Sequence, residues 1–336
     1  MRLLIVLTGA IGDVVRALPL LGRMRRARPE SWIGWVVEPP AAPLLVGHPW
    51  LDEVLVFDRP AGLRAIPSLL ARLRARRYDV ALDLGRSAKT ALFTRLAGAP
   101  LRLGFDRRDG REGSWLAANR RLAPQGPGRS KLLQFVAFGD LLGLPPAPVE
   151  FGLAATAAER ADADSLLAGL PEPIVAACVG SSCPSRRWFP EPTAAVIDAL
   201  AARHGASAVL LGSAADAPFA ALVRRHAAAA RDLTGRTSLR QLLAILTRMR
   251  LVFGADSGAL HLAAALGKRV VSLWGATSAE RSVPLGSEAL VITGAAPCAP
   301  CFLRTCPIGR VCMREIAAAR VLATVDGALD GRSGDS

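Results

Sequence analysis

GADSGALHLAAALGKRVVSLWG, Gly254 to Gly275, is the stretch whose reading decides the fold. It follows an apolar strand-like run, Leu251, Val252 and Phe253. An acid, a hydroxyl and a glycine (Asp256, Ser257, Gly258) then open an Ala/Leu-rich helix, and a second strand, Arg269 to Trp274, comes at once. A strand, a tight turn, a helix and a strand in this order make a parallel βαβ unit. The start of its helix exposes unpaired N–H groups and the positive end of a dipole, which suits a phosphate.

The same grammar runs outward in both directions. At the N-terminus, strand RLLIVL leads through TGAIGD into a helix in which Val14, Leu18 and Leu21 keep helical spacing and Arg16, Arg23 and Arg26 are spread among them. Short strands are predicted at Ile33–Val37, Val54–Phe57 and Val80–Leu84, with a basic helix, Ile66–Arg77, between the last two. Pro145, Pro146 and Pro148 mark a boundary after helix Lys131–Leu142. The alternation then restarts. An Ala-rich helix, Ala154–Leu170, precedes strand Ile174–Cys178, loop VGSSCPSRRW and helix Thr193–Arg203. Strand Ala208–Leu211 is followed by helix Ala217–Ala229, and helix Thr237–Leu246 precedes the strand at Leu251. The expected fold class is α/β, with two facing Rossmann-like domains, residues 1–150 and 151–336, parallel sheets and a cleft between them. The last predicted helix, Met313–Leu329, is a candidate to close the structure by crossing back.

Length and composition agree with this. The chain has 336 residues, enough for two domains, and 51% are apolar, enough for sizeable cores. The apolar runs are too short and interrupted for a spanning helix. The first residues superficially resemble a signal peptide, but Asp13 interrupts them and no small-residue cleavage site follows, so a buried first strand and a cytoplasmic protein are expected. Net charge is +14, of which residues 1–150 carry +10 and residues 151–336 carry +4. The asymmetry favours an anionic partner for the first half, a phosphorylated glycolipid, an acidic membrane surface or nucleic acid; a plainly solvated basic surface is the other reading.

Six segments in a fixed order, TGAIGDVVRALP, YDVALDLGRSAKTALFTRLAGAPLRLGF, VGSSCPSRRWFP, LLGSAAD, DLTGRTSLRQLLAIL and FGADSGALHLAAALGKRVVSLWG, resemble glycosyltransferase family 9, the ADP-heptose:lipopolysaccharide heptosyltransferases. The resemblance spans nearly the whole chain. It implies the GT-B architecture, with the acceptor on the N-terminal domain and the nucleotide-sugar on the C-terminal one. It implies an inverting transfer of heptose from ADP-heptose to a lipopolysaccharide inner-core acceptor, Kdo-lipid A or heptosyl-Kdo-lipid A. A monomer, peripheral at the cytoplasmic face of the inner membrane, is expected.

Sugar transfer from a nucleoside diphosphate needs a base for the acceptor hydroxyl, positive groups or N–H dipoles for the departing diphosphate, and substrates held in line. Asp13, between the Gly9–Gly12 turn and the first helix, is either a helix cap or, as the resemblance implies, the catalytic base. Asp256 is implied to be catalytic as well, orienting the donor or binding its hydroxyls. Ser181, Ser182 and Arg186 match the family's phosphate loop; an arginine fork suits a diphosphate, while a solvated loop is the bland alternative. Ser257 and Gly258 are implied to bind phosphate through N–H groups. His261 either donates to a phosphate oxygen or pins the loop. Asp216 matches an acid that holds the ribose, one methylene shorter than the common Glu, and Thr237 falls in the loop implied to contact the base. On the acceptor side the candidates are Gly9, Gly12, Arg86 and Lys89, the last two set against a solvated helix face.

Cys298, Cys301, Cys306 and Cys312 lie as C-x2-C-x4-C-x5-C. Four thiols so close in sequence are candidates for a structural Zn or Fe–S site, or for free thiols or a partial disulfide. No cofactor is expected to be required, and arginine and N–H groups would replace a metal at the diphosphate. Three other readings fit parts of the chain. A family member could move another activated sugar to a different glycan. A dinucleotide-dependent oxidoreductase would need a full glycine fingerprint, which Gly9 and Gly12 do not make, although Glu38 sits near the place of its acid. A nucleic-acid binder would exploit the charge, but one tyrosine and no aromatic–basic interleaving argue against it, so nucleic acid is not an expected partner.

Overall fold

A computed structural model describes residues 1–58 and 62–331. They form two compact units, divided between Leu153 and Ala154.

The first unit runs β1 (Arg2–Val6), α1 (Ile11–Ala27), β2 (Trp32–Val37), β3 (Glu53–Val56), α2 (Ala65–Ala75), β4 (Val80–Asp83), α3 (Ala88–Leu96), β5 (Leu101–Gly104), β6 (Arg120–Arg121) and α4 (Lys131–Leu141). Its six strands are ordered β3-β2-β1-β4-β5-β6, and every pair is parallel. Leu3 to Val6 are all buried, as a central parallel strand covered on both faces requires. Val14, Leu18 and Leu21 of α1 pack with Phe135 and Phe138 of α4 in the core on one face of the sheet. The arginines of α1 are not all solvated. Arg23 is buried, and it donates to the carbonyls of Val136, Leu144 and Pro145 and to Asp140. It thereby ties α1 to the side of α4 and to the Leu144–Pro145 turn that follows that helix.

The second unit runs α5 (Ala157–Leu167), β7 (Ile174–Cys178), α6 (Pro190–His204), β8 (Ser207–Leu211), α7 (Ala217–His226), β9 (Arg231–Asp232), α8 (Leu239–Arg248), β10 (Leu251–Ala255), α9 (Gly258–Ala265), β11 (Arg269–Trp274), α10 (Ala279–Ser282), β12 (Val291–Thr293), α11 (Val311–Arg314) and α12 (Ala318–Leu329). The sheet order is β12-β11-β10-β7-β8-β9, again all parallel. Counted from its own first strand, this is the order of the first unit. Both are doubly wound sheets whose strand order reverses beside the first strand, between β1 and β4 and between β7 and β10. The crevice outside the strand ends at such a reversal is where open α/β sheets bind ligands.

Several local details set the loops. Gly254 stands in register with Cys178, and a Cβ there would lie 2.4 Å from the Cys178 carbonyl oxygen, so only glycine lets β10 lie against β7. Helix α8 begins two residues later than the sequence suggests, because Ser238 caps it in a reciprocal capping box with Gln241. The single helix expected over 313–329 is broken at Glu315–Ala317. Helix α12 packs on α6, β10 and β11 of its own unit, with Asp326 bonded to Arg203 and His204.

Candidate functional site

In the first unit the site residues gather where β1 and β4 end. Asp13 is the third residue of α1. Ala10 occupies the capping position without a side-chain bond, so Asp13 is not the N-cap. Its Oδ1 accepts from Arg16 Nη1 at 2.6 Å and from Lys131 Nζ at 3.0 Å, and its side chain is 27% exposed. Gly9 borders it: a Cβ on Gly9 would stand 3.8 Å from Asp13 Oδ2. Gly12 is buried within α1.

The loop after β4 is organised by Asp83. This buried carboxylate accepts from the Gly85 N–H and from Thr90, and burial pushes its pKa up to about 6. Ser87 and Thr90 cap α3 reciprocally. Arg86 stacks on Phe105, 3.7 Å from the ring centroid, and donates to Gln134 Oε1; Lys89 pairs with Glu38. Arg86 and Lys89 are therefore engaged side chains at the strand ends rather than a solvated helix face. Sequence reasoning missed Arg16, Lys131 and Gln134. Lys131 and Gln134 had no local signal, being brought to the site by the packing of α4 on α1.

In the second unit Asp256 is the centre. It is buried, and its Oδ2 accepts from Arg186 Nη1 at 3.0 Å and Thr277 Oγ1 at 2.9 Å. Its backbone carbonyl accepts from Ser181 Oγ at 3.0 Å, and His261 Nε2 lies 3.9 Å from Oδ1. Loops after β7, β10 and β11 are thus tied at one carboxylate. Ser257 caps α9 through its backbone alone, without a side-chain bond, and Gly258 opens the helix. Ser182 is exposed and turns towards Cys183.

Asp216 is buried one loop away. Its Oδ2 closes a capping box with Ser213, and its Oδ1 pairs with Arg187. Its carboxylate also packs against Gly180, where a Cβ would fall 2.4 Å from Oδ2. Thr237 is half-buried just before the α8 cap, whereas Thr234 is buried against Gly212. Arg187, Thr234 and Thr277 were not singled out from the sequence; the doublet Arg186–Arg187 was the available signal for the first. Arg186 Nε, Arg187 Nε, Ser257 Oγ and Thr234 Oγ1 are buried without a hydrogen-bond partner in the protein. Buried donors of this kind cost free energy unless something meets them. All four stand at the C-terminal ends of β7, β9 and β10.

The cysteines do not form the candidate metal set. Among the described residues, no three of His, Cys, Asp and Glu are placed to hold a metal ion. All six cysteines are unbridged. Cys298 is exposed and Cys312 buried, packed against Gly275, so close that a Cβ there would lie 2.7 Å from its Sγ. Cys306 Sγ accepts the Arg310 N–H. The segment serves as a brace instead: Arg310 donates to the carbonyls of Arg187 and Trp188, and Ser185 bonds the carbonyls of Leu303 and Arg304. Cys178 is buried, and its thiol is pushed up to about 12 by that burial, which leaves it inert.

The model of glycosyltransferase family 9 (heptosyltransferase) matches residues 66–312. The lipopolysaccharide core heptosyltransferase OpsX of Haemophilus influenzae is 26% identical, over 84% of this chain and 81% of its own. Lipopolysaccharide heptosyltransferase 1 of Pseudomonas aeruginosa is 28% identical, over 91% of this chain and 87% of its own. Among solved structures, the Escherichia coli ADP-heptose lipopolysaccharide heptosyltransferase II superposes with a TM-score of 0.78 at 24% identity, covering 98% of this chain and 99% of that one. The two doubly wound sheets are those of the GT-B fold.

Proposed function

We propose, since the chain belongs to glycosyltransferase family 9, that it moves a heptose from ADP-heptose to an inner-core sugar of a lipopolysaccharide precursor. The observation that carries the reading is the set of unmet buried donors around Asp256 and Asp216. Arg186, Arg187, Ser257 and Thr234, with the start of α9, offer cationic and hydroxyl donors that fit a diphosphate joined to a hydroxyl-rich nucleoside and sugar.

In this reading the second unit binds the donor and the first the acceptor. Asp13 takes the proton of the attacking hydroxyl. That oxygen bonds to the anomeric carbon as the bond from this carbon to the phosphate oxygen breaks, with inversion, and ADP leaves carrying the electron pair. Arg186 and the α9 N–H groups stabilise the charge developing on the diphosphate. Asp256, held by Arg186 and Thr277, orients the sugar. Asp216 faces the ribose, with Arg187 neutralising it. Ser181 fixes the Asp256 turn, and Gly258 lets the backbone approach the phosphate, with His261 beneath. Arg86, Lys89 and the glycines of the first loop line the acceptor side. No metal enters any step. The acceptor is an anionic glycolipid at the cytoplasmic face of the inner membrane, and the enzyme works there as a peripheral monomer. Among the described residues no helix is long and apolar enough to cross a membrane.

The test is turnover of ADP-heptose with Kdo-lipid A and with its heptosylated form, read by mass spectrometry. One acceptor should gain one heptose. Transfer from UDP- or GDP-sugars alone would overturn the choice of donor. Asp13→Asn should lose most of the turnover, leaving a measurable residue, while ADP binding stays intact in calorimetry; near-normal turnover would remove Asp13 as the base.

A further inference from the structure

We infer that Lys131 is a positioning residue for Asp13, a role that rests on Asp13 being the base of the proposed transfer. The two residues are 118 apart in sequence and share one hydrogen bond, Nζ to Oδ1 at 3.0 Å. Arg16, on the same helix as Asp13, donates to that same Oδ1 at 2.6 Å. Two donors on one oxygen, arriving from different helices, fix the rotation of the carboxylate about its Cβ–Cγ bond, a torsion that is otherwise broad. They also set two cations beside one anion. When Asp13 has taken the hydroxyl proton, both cations face a neutral acid, and the proton is released to water. Lys131 keeps its own protons throughout and bonds to no substrate atom.

The fold invests in the position of this ammonium. Lys131 is the first residue of α4, and the far end of α4 is anchored to α1 by the buried Arg23. Gly139 makes the close approach possible: a Cβ there would stand 2.6 Å from Arg23 Nη1. The near end of the pair is closed by Lys131 on Asp13, and Gln134, one turn on, receives Arg86. Helix α4 is therefore fixed against α1 at both ends, and a displacement of about 1 Å at a reacting group can cost about a hundredfold in rate.

The test measures kcat and both KM values for Lys131→Met, Lys131→Gln and Lys131→Arg, with thermal midpoints to confirm folding. The expected result is a fall in kcat of about 10- to 100-fold for Met and Gln, with both KM values held within about twofold, and substantial recovery of kcat in the Arg variant. Combined with Asp13→Asn, the Met substitution should cost nothing further, because its effect passes through the carboxylate. A kcat within about twofold of the parent in Lys131→Met, or an equal loss with and without Asp13, overturns the inference. Normal turnover by Asp13→Asn alone would instead overturn the base assignment, so the two failures are distinguishable.

Discussion

Arg186 Nη1 lies 3.0 Å from Asp256 Oδ2, and this pair joins the loop after β7 to the loop after β10 at the strand-order reversal of the second sheet. The next residue, Arg187, pairs with Asp216 after β8. Two consecutive arginines thus span three loops, and each keeps a buried Nε unmet by protein. Arg186→Ala should weaken ADP binding by about tenfold or more, the scale of one or two charge-assisted hydrogen bonds. Arg186→Lys should fall between, since a point charge replaces a fork. Calorimetric titration checks both, and unchanged affinity in the Ala variant would remove Arg186 from the diphosphate site.

Gly254→Ala should destabilise the second unit by about 2–5 kcal/mol. The added Cβ meets backbone, the Cys178 carbonyl 2.4 Å away, and a paired strand cannot yield as a side chain can. Chemical denaturation should show a lower midpoint; an unchanged midpoint would mean that the two strands can separate at no cost.

Gly139→Ala should cost about 1–3 kcal/mol, because the methyl displaces an Arg23 guanidinium already committed to three carbonyls and Asp140. Since it tilts α4, it should also lower kcat, in step with the Lys131 variants. Activity at the parent level in a destabilised Gly139→Ala protein would separate the packing of α4 from the chemistry.

Asp83 makes stability depend on pH. Its pKa is raised from 3.8 to about 6, chiefly by burial, so the folded state prefers the protonated acid. This contribution is fully present below the unfolded value and is lost as pH rises through about 6. Relative to the parent, Asp83→Asn should therefore gain in thermal midpoint between about pH 4 and 7. A difference that is flat with pH would show that Asp83 does not titrate in this range.

Thiol labelling should follow burial and not sequence spacing. The exposed Cys298 should react with iodoacetamide in the native protein, while Cys178, its thiol held up to about 12, should react only after unfolding. Equal labelling of both in native protein would contradict the placement of β7 in the core.

Much of this molecule could be read along the chain because the information is local. Apolar runs bounded by glycine, with helical periodicity between them, specify β1, β7, β10 and β11 and the loops at their ends. Ser181, Arg186 and Asp256 fall on those loops, and Asp13 on the first turn of α1, for the same reason. The two-residue edge strands β6 and β9 escaped, since two residues carry no period. The last helix is shorter than its composition predicts, because that composition continues through Glu315–Ala317, where the chain turns so that the Ile316 carbonyl can accept from the buried Trp188 indole.

Sequence by itself determined two doubly wound halves and which turns follow their strands, because strand period, turn residues and helix starts depend on neighbours a few positions apart. Tertiary structure alone decided which polar side chains meet: Lys131 with Asp13, Arg187 with Asp216, Thr277 with Asp256, and Arg23 with Asp140 near the end of α4. It also decided the burial of the clustered cysteines, Cys312 packing against Gly275 while Cys298 is exposed. These pairings depend on how helices and loops distant in sequence pack on a common sheet, and a contact of that kind leaves no periodic mark on the chain.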